Sequence, residues 1–246
     1  MPYSEAVTIK QPSRHNQLLD ALPEADWLRW QPALESVDLQ QGEVLYETGS
    51  LLSHVYFPSS AIISLVYVMD AKASAEIAVV GFEGLVGITL LMSDDLSVNR
   101  AVVQRAGHCY KLSASLIREE FKRSGAVMDL LLRYTQALLT QMSQTAVCNR
   151  HHSLDQQLCR WLLLSLDRRR GMELQMTQIL IARLLGVRRE GVTEAALKLQ
   201  QLGLIRYARG HITVLNRKGL ENRSCECYGV VKNEYDRLLM PPSTLD

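Results

Sequence analysis

Arg188, Arg189 and Glu190 stand in a row, and their side chains could read the edges of nucleic-acid bases. An arginine offers two parallel N–H donors that match the O6 and N7 acceptors of guanine, and a glutamate accepts from the amino group of cytosine. Thr193, Glu194 and Lys198 follow at helical spacing, opposite an apolar set of Val192, Ala195, Ala196 and Leu199. The spacing therefore predicts a helix from about Arg188 to Leu202, with its polar face outward. Reading a base requires that this helix be held at a fixed angle, and the flanking residues can do so. Thr177 caps a shorter helix that is expected to turn Ile179, Leu180 and Leu184 inward. Leu185-Gly186-Val187 makes the turn between the two, since glycine accepts positive φ without a Cβ clash. Beyond them, LGLIRYARGHITVL alternates apolar and polar residues around Ala208-Arg209-Gly210-His211, a β-hairpin pattern.

Two angled helices and a hairpin wing form a compact unit for reading double-stranded DNA, the second helix entering the major groove by its N-terminal end. The candidate DNA-binding residues are Thr177, Gln178, Arg188, Arg189, Glu190, Thr193, Glu194, Lys198, Arg209 and His211. The same pattern also fits a solvated helix face, or a winged helix that binds protein.

Charge is distributed accordingly. The chain carries a net +1, but Arg168 to Arg223 holds 12 basic against 4 acidic residues, a local +8. Residues 1–167 carry −5 and residues 224–246 carry −2. A basic segment on an acidic body concentrates attraction for phosphate in one place. Arg168-Arg169-Arg170 is expected to be a solvated loop adding non-specific phosphate affinity.

Composition sets the outer bounds. A length of 246 residues suits two domains, and 47% hydrophobic residues suffice for sizeable cores. No apolar run reaches the length of a membrane span. The polar start, MPYSEAVTIKQPSRHNQ, is expected to fray and lacks the apolar core of a secretory signal. The five cysteines (Cys109, Cys148, Cys159, Cys225 and Cys227) suit a reducing cytoplasm better than a disulfide framework.

Gln17 to Trp30 is read as two short helices divided by Pro23. From Leu34 to Leu112, short alternating runs separated by turns (at Gly42, Gly49, Pro58-Ser59-Ser60, Asp70-Ala71-Lys72 and Gly107) predict an antiparallel sandwich or barrel. GFEGLVGITLLM, from Gly81, is glycine-rich and is expected to hold a helical turn. A long helix follows from Ser124 to Asn149. Met128, Leu131, Thr135, Leu138, Met142 and Thr145 recur along it at alternating spacings of three and four, widened by Leu132 and Leu139. Such a seam serves either a dimer or the core of one subunit. A helix-turn-helix that works on a two-fold site favours the dimer, with Met128, Leu131, Thr135, Leu138, Leu139, Met142 and Thr145 at the interface. Ser153 then caps a helix over Leu154 to Leu166.

The order of β-sandwich, long helix and winged helix-turn-helix resembles the Crp/Fnr family of bacterial transcription regulators. The resemblance spans about Leu18 to Leu215 and is carried by GFEGLVG, TAVCNRHHSLDQQLCRWLL and LGVRREGVTEAALKLQQLGLI. It implies an α+β protein: an N-terminal antiparallel β-roll (a cyclic-nucleotide-binding-like jelly roll) over residues 1–123, a dimerisation helix over 124–150, and a winged helix-turn-helix over 151–246. It further implies a homodimer on a pseudo-palindromic site, an effector sensed by the roll, and RNA polymerase as a partner. Arg189 and Glu190 match the family's base-reading pair. The third reading position is Glu194, a reversal of charge, and Gly191 stands where the family usually has Thr or Ala.

The implied effector pocket comprises Gly84, Gly87, Ile88, Arg100, Met142 and Ser143. It departs from the cyclic-AMP pattern. Gly87-Ile88 replaces the Gly-Glu pair that accepts from the ribose, Arg100 is the only nearby cation and lies out of register, and Met142-Ser143 replaces a pair of hydroxyls. An unidentified effector other than cyclic AMP is therefore expected. The family's iron–sulfur members use N-terminal cysteines, which this chain lacks before Cys109; His54 and His108 match haem ligands by residue type alone. One residue between Cys225 and Cys227 suits neither a common zinc site nor a redox pair. The two are read as the start of a C-terminal helix that packs Tyr228, Val231, Tyr235 and Leu238 on the winged domain, and His151-His152 as a helix junction. No cofactor, metal site or catalytic constellation is expected. The alternative to a DNA-binding regulator is a protein-interaction module built on the same fold.

Overall fold

A computed structural model describes residues 14–69, 73–92, 96–168 and 171–239. The polar start, the turn at 70–72 and Arg169-Arg170 fall outside that set. Asn16 caps α1 (Gln17–Asp20) through its side-chain oxygen, and Pro23 leads into α2 (Glu24–Trp30) as expected. Leu18, Leu19, Leu22, Trp27 and Trp30 are buried against the roll. Seven strands follow: β1 (Glu35–Leu39), β2 (Val44–Tyr46), β3 (His54–Pro58), β4 (Ile62–Met69), β5 (Ala73–Val80), β6 (Arg100–Arg105) and β7 (Gly107–Ser113). They pair antiparallel in two sheets, ordered β1-β7-β3 and β2-β6-β4-β5. Their facing side chains, among them Val55, Phe57, Ile63, Leu65, Leu85, Val103 and Leu112, form the core of the roll. The Gly81 to Met92 segment holds a 3₁₀ turn at Ile88–Leu91, preceded by Gly87 at φ +105°.

A helix absent from the sequence reading, α3 (Ala114–Arg123), joins the roll to the long helix α4 (Ala126–His151). α5 (Leu154–Asp167) begins at Ser153, which forms a capping box with Gln156. The rest comprises β8 (Glu173–Gln175), α6 (Gln178–Leu185), α7 (Arg189–Gln201), β9 (Ile205–Ala208), β10 (His211–Val214), α8 (Arg217–Arg223) and α9 (Glu226–Leu239). β8 adds a third strand to the wing, in the order β8-β10-β9.

Three expectations need correction. First, the seam proposed on α4 lies mostly inside the protomer. Leu131, Thr135, Leu138 and Thr145 are buried, and Met128 and Met142 are half-buried. Leu139, also expected at the interface, and the stripe one residue further on to which it belongs stay open: Leu132 is 47% exposed and Leu139 45%, with Gln136, Ser143 and Ala146 exposed beside them. Both stripes have the same three–four spacing, so periodicity cannot tell which of them faces the roll. Second, α9 packs chiefly along α4 instead of on the winged domain. Tyr235 meets Tyr134 edge-on, with ring centroids 6.4 Å apart.

Third, Arg168 is not a solvated cation. It closes α5 and is buried, its Nε 2.7 Å from Glu83 Oε1 and 2.8 Å from the Val79 carbonyl. Its Nη1 donates to Leu164 O at 2.9 Å and its Nη2 to Gln141 Oε1. Gly81 permits this approach: a Cβ there would sit 2.6 Å from Arg168 Cβ. Arg168→Met should therefore destabilise the fold by about 3–5 kcal/mol, because it leaves the buried Glu83 carboxylate without its cation. Equilibrium denaturation measures the loss. A change near zero would mean that water reaches Glu83 and the pair is not structural.

Candidate nucleic-acid interface

The helix pair is fixed by short-range chemistry. Thr177 accepts from Leu180 N at 3.3 Å and so caps α6. Gly186 ends α6 at φ +66°. The Thr193 hydroxyl of α7 donates to Gln178 Oε1 of α6 at 2.8 Å, which ties the two helices together near their N-termini. Ile181, Ala182, Leu184 and Leu185 of α6 pack with Val192, Ala195, Ala196 and Leu199 of α7 in one apolar core. Gly191, the departure noted above, lies where α7 comes close to α5: a Cβ would fall 2.8 Å from Leu154 Cδ2. The helix-propensity cost of glycine there comes with a close helix–helix approach.

The start of α7 is left open. Arg188, as N-cap, and Arg189, Glu190 and Glu194 are all exposed. The wing turns at Arg209 (φ +50°) and Gly210 (φ +80°), two successive positive-φ residues as a tight hairpin turn requires, and presents exposed Arg209 and His211. A cleft of about 340 Å³ separates α6, α7 and the wing, lined by Thr177, Gln178, Ile179, Arg189, Tyr207 and Arg209. The structure thus brings Thr177, Gln178, Arg189 and Arg209 together in one concavity. Two lining residues were missed. Ile179, expected to face inward, is exposed, because α6 turns Ile181 and Leu185 to the core instead. Tyr207 donates to Met176 O at 2.7 Å; burial pushes its hydroxyl up to about 12, against the lowering effect of nearby Arg189. The inward alternation of the wing strand is the signal that could have found it.

Lys198 lies on the outward face of α7, as read from its spacing, and is exposed. It pairs with Asp155 of α5 at 3.1 Å, beside Arg223 at 2.6 Å from the same carboxylate. Against the burial that would raise it, these two cations hold the Asp155 carboxyl down to about 2. Arg217 pairs with Asp167 and Glu221, and Lys218 with Glu221. Five of the twelve basic residues counted above, Arg168, Lys198, Arg217, Lys218 and Arg223, are thus paired within the protein. Arg183, Arg188, Arg189, Arg206 and Arg209 are exposed.

None of the residues assigned to an effector pocket lines the cleft between α6, α7 and the wing. A Cβ on Gly84 would strike the Tyr134 ring, and Tyr134 Oη donates to Leu85 O at 2.8 Å. Ile88 is buried among apolar side chains. Arg100 is held on the surface by a bidentate pair with Glu47, both contacts at 2.7 Å. Met142 is half-buried and Ser143 is exposed on α4. Where β5 faces α4, Gln141 Nε2 donates to Val79 O at 3.1 Å and closes the gap directly. A cavity of about 650 Å³ opens elsewhere, at the junction of the roll with α4, α5 and α9, lined by Glu83, Arg133, Arg168 and Tyr235 among others.

Arg189→Ala should lower affinity for the specific DNA site by about 1–3 kcal/mol and relax base choice at one position of each half-site. Gel shifts on sites selected from a random pool measure both. Unaltered affinity and selectivity would place the reading helix elsewhere.

Residues 156–223 match the family model of the Crp-like helix-turn-helix domain. No curated protein matches the sequence. Among solved structures, FixK2 from Bradyrhizobium japonicum superposes with a TM-score of 0.66 at 16% identity, covering 78% of this chain and 98% of that one. TTHB099, a CRP-family transcriptional regulator from Thermus thermophilus, gives 0.63 at 16% identity, covering 76% and 96%. The c-di-GMP-responsive regulator CLP from Xanthomonas campestris gives 0.61 at 15%, covering 78% and 99%. Residues 156–223 therefore form a Crp-like helix-turn-helix domain, within a chain that shares its overall fold with these solved structures.

Proposed function

We propose that this protein is a homodimeric, sequence-specific transcription regulator that reads a pseudo-palindromic DNA site with α7 and responds to a signal other than cyclic AMP. The carrying observation is the open N-terminal end of α7, where Arg188, Arg189 and Glu190 stand exposed beside the wing. A groove-inserted helix reads bases from that end. On this reading residues 1–123 sense, 124–150 dimerise and 151–246 bind DNA, in a cytoplasmic protein that acts with RNA polymerase. Arg188 and Arg209 contact phosphates, Arg189 and Glu190 contact bases, and Glu194 selects against positions that offer only acceptors.

The dimer uses the open stripe of α4. Leu132 and Leu139 lie seven residues apart, with Gln136, Ser143 and Ala146 completing a three–four pattern on the same exposed face. Leu139→Glu should give a folded monomer with weakened specific DNA binding, since each half-site then acts alone. Leu138→Glu should instead unfold the protomer, because that side chain is wholly buried. Sedimentation and circular dichroism separate the two, and a Leu139→Glu protein that stays dimeric moves the interface off α4.

The exclusion of cyclic AMP rests on Ile88 and Arg100. An apolar side chain at the ribose position leaves a hydroxyl donor unpaired, at about 1–3 kcal/mol, and Arg100 is already held by Glu47. Calorimetry with cyclic AMP should show no saturable heat. A dissociation constant below about 10 μM, near −7 kcal/mol, would overturn the reading.

A further inference from the structure

Three thiols and an imidazole converge where α4 ends and α9 begins. Cys148 lies in the last turn of α4, and His152, the extended residue that caps that helix, bonds its backbone N–H to Cys148 O at 3.1 Å. Cys225 and Cys227 flank the first residue of α9, Glu226. Cys148 Sγ lies 3.5 Å from Cys225 Sγ, and Cys227 Sγ lies 3.6 Å from His152 Nδ1. All four of these atoms fall within 4.8 Å of one another. Zinc–sulfur bonds of about 2.3 Å and zinc–nitrogen bonds of about 2.0 Å, set tetrahedrally, put sulfur about 3.8 Å from sulfur and about 3.5 Å from nitrogen. The Cys148–Cys225 and Cys227–His152 separations lie within about 0.3 Å of those values, and the 4.8 Å limit on the others leaves the four atoms within reach of one ion. An iron–sulfur cluster, whose ligands bind different irons, would spread them more widely.

We propose that Cys148, His152, Cys225 and Cys227 form a structural Cys₃His site for one Zn²⁺ ion. The surroundings fit a metal better than a packing cluster of neutral thiols. His152 turns Nδ1 toward the sulfurs, and its Nε2 lies 3.3 Å from Glu226 Oε1. A carboxylate behind the second ring nitrogen is the usual support of a metal-bound histidine, fixing tautomer and orientation. Three thiolates and Zn²⁺ leave a net charge of −1. Arg160, buried and close enough for its charge to act on both Cys148 and Cys227, supplies the compensating +1. Its Nη1 donates to Thr145 Oγ1 at 3.1 Å, and its Nε has no hydrogen-bond partner among the described residues. A buried guanidinium with an unpaired Nε and no counter-charge beside neutral thiols would be costly; beside an anionic metal centre its charge is matched. With four protein ligands the site is closed, so its role is structural. It pins α9 to the last turn of α4, at the break before α5 where the long helix hands over to the DNA-binding half.

The full-length protein, expressed in zinc-containing medium and purified under reducing conditions without chelator, should contain one zinc per chain by elemental analysis. Exchange into Co²⁺ should give the intense visible bands of a tetrahedral ion together with thiolate-to-cobalt charge transfer. Cys225→Ala/Cys227→Ala should lose the metal, and Cys109→Ala, altered in the roll, should keep it. Removing zinc with a strong chelator should lower the midpoint of thermal unfolding, and restoring Zn²⁺ should recover it. Should the double variant fail to fold, the cobalt spectrum of the unaltered chain decides the matter. The proposal is overturned if the folded, reduced protein takes up neither Zn²⁺ nor Co²⁺. It is equally overturned if the folded double variant retains stoichiometric metal, or if two of the five thiols are found joined as a disulfide with no metal bound.

Discussion

One buried guanidinium holds the molecule together across its parts. Arg168 reaches the roll at Val79 and Glu83, α4 at Gln141 and its own helix at Leu164, and its guanidinium carbon lies 5.3 Å from the centre of the Tyr235 ring of α9. A charge removed from water must find its partners in good geometry or not be buried at all. The register between the roll and the DNA-binding half is therefore set by one side chain with few tolerable alternatives. The glycine-rich segment acquires a local meaning from this. Gly81 makes room for the Arg168 backbone and Cβ, Glu83 supplies the counter-charge while accepting from Gly81 N, and Gly84 makes room for Tyr134. A stretch that resembles an effector-binding segment serves here as the seat of a domain junction.

β5 carries the rest of that junction. Glu76, in its middle, accepts from Trp161 Nε1 of α5 at 3.0 Å and from Ser64. Burial raises its carboxyl to about 7 despite those donors. The folded state therefore holds this proton where an unfolded chain releases it. The associated stability is complete below the ordinary carboxylate range and is lost as pH rises towards about 7. The turn of the helix-turn-helix rests on the same strand, a Cβ on Gly186 falling 3.4 Å from Ala75 Cβ. Whatever displaces β5 thus acts on the reading helices through packed contacts, with no flexible linker between.

Local chemistry was legible in the sequence and long-range pairing was not. Gly186, the Thr177 cap and the alternation about Arg209-Gly210 each specify their own conformation, so the helix-turn-helix and its wing emerged from short windows. The strands emerged for the same reason. β8 was missed because three residues carry almost no periodicity, and α3 because it continues directly from β7. The side of α4 that faces the roll depends on which of two equivalent stripes finds a partner, and that partner is distant in sequence. Arg168 was misplaced for a related reason. In a run of three arginines nothing marks the one that meets Glu83. The cysteines show the same limit: Cys225 and Cys227 looked weak as ligands because Cys148 and His152 lie far away along the chain.

The surplus of basic residues overstates the surface available to DNA. Of the twelve cations in the basic segment, Arg168, Arg217 and Arg223 are wholly or partly buried against the protein's own carboxylates, while Lys198 and Lys218, though paired, stay exposed with Arg183, Arg188, Arg189, Arg206 and Arg209. Each phosphate neutralised by such a cation steepens the salt dependence of binding, so fewer free cations mean weaker non-specific attraction. Glu190 and Glu194, exposed on the same helix, reduce it further by repelling phosphate. Under the proposed reading, both effects shift the balance of binding from charge towards base contacts at the start of α7. On DNA dense with non-specific sites, a regulator gains selectivity from that balance even while its total affinity falls.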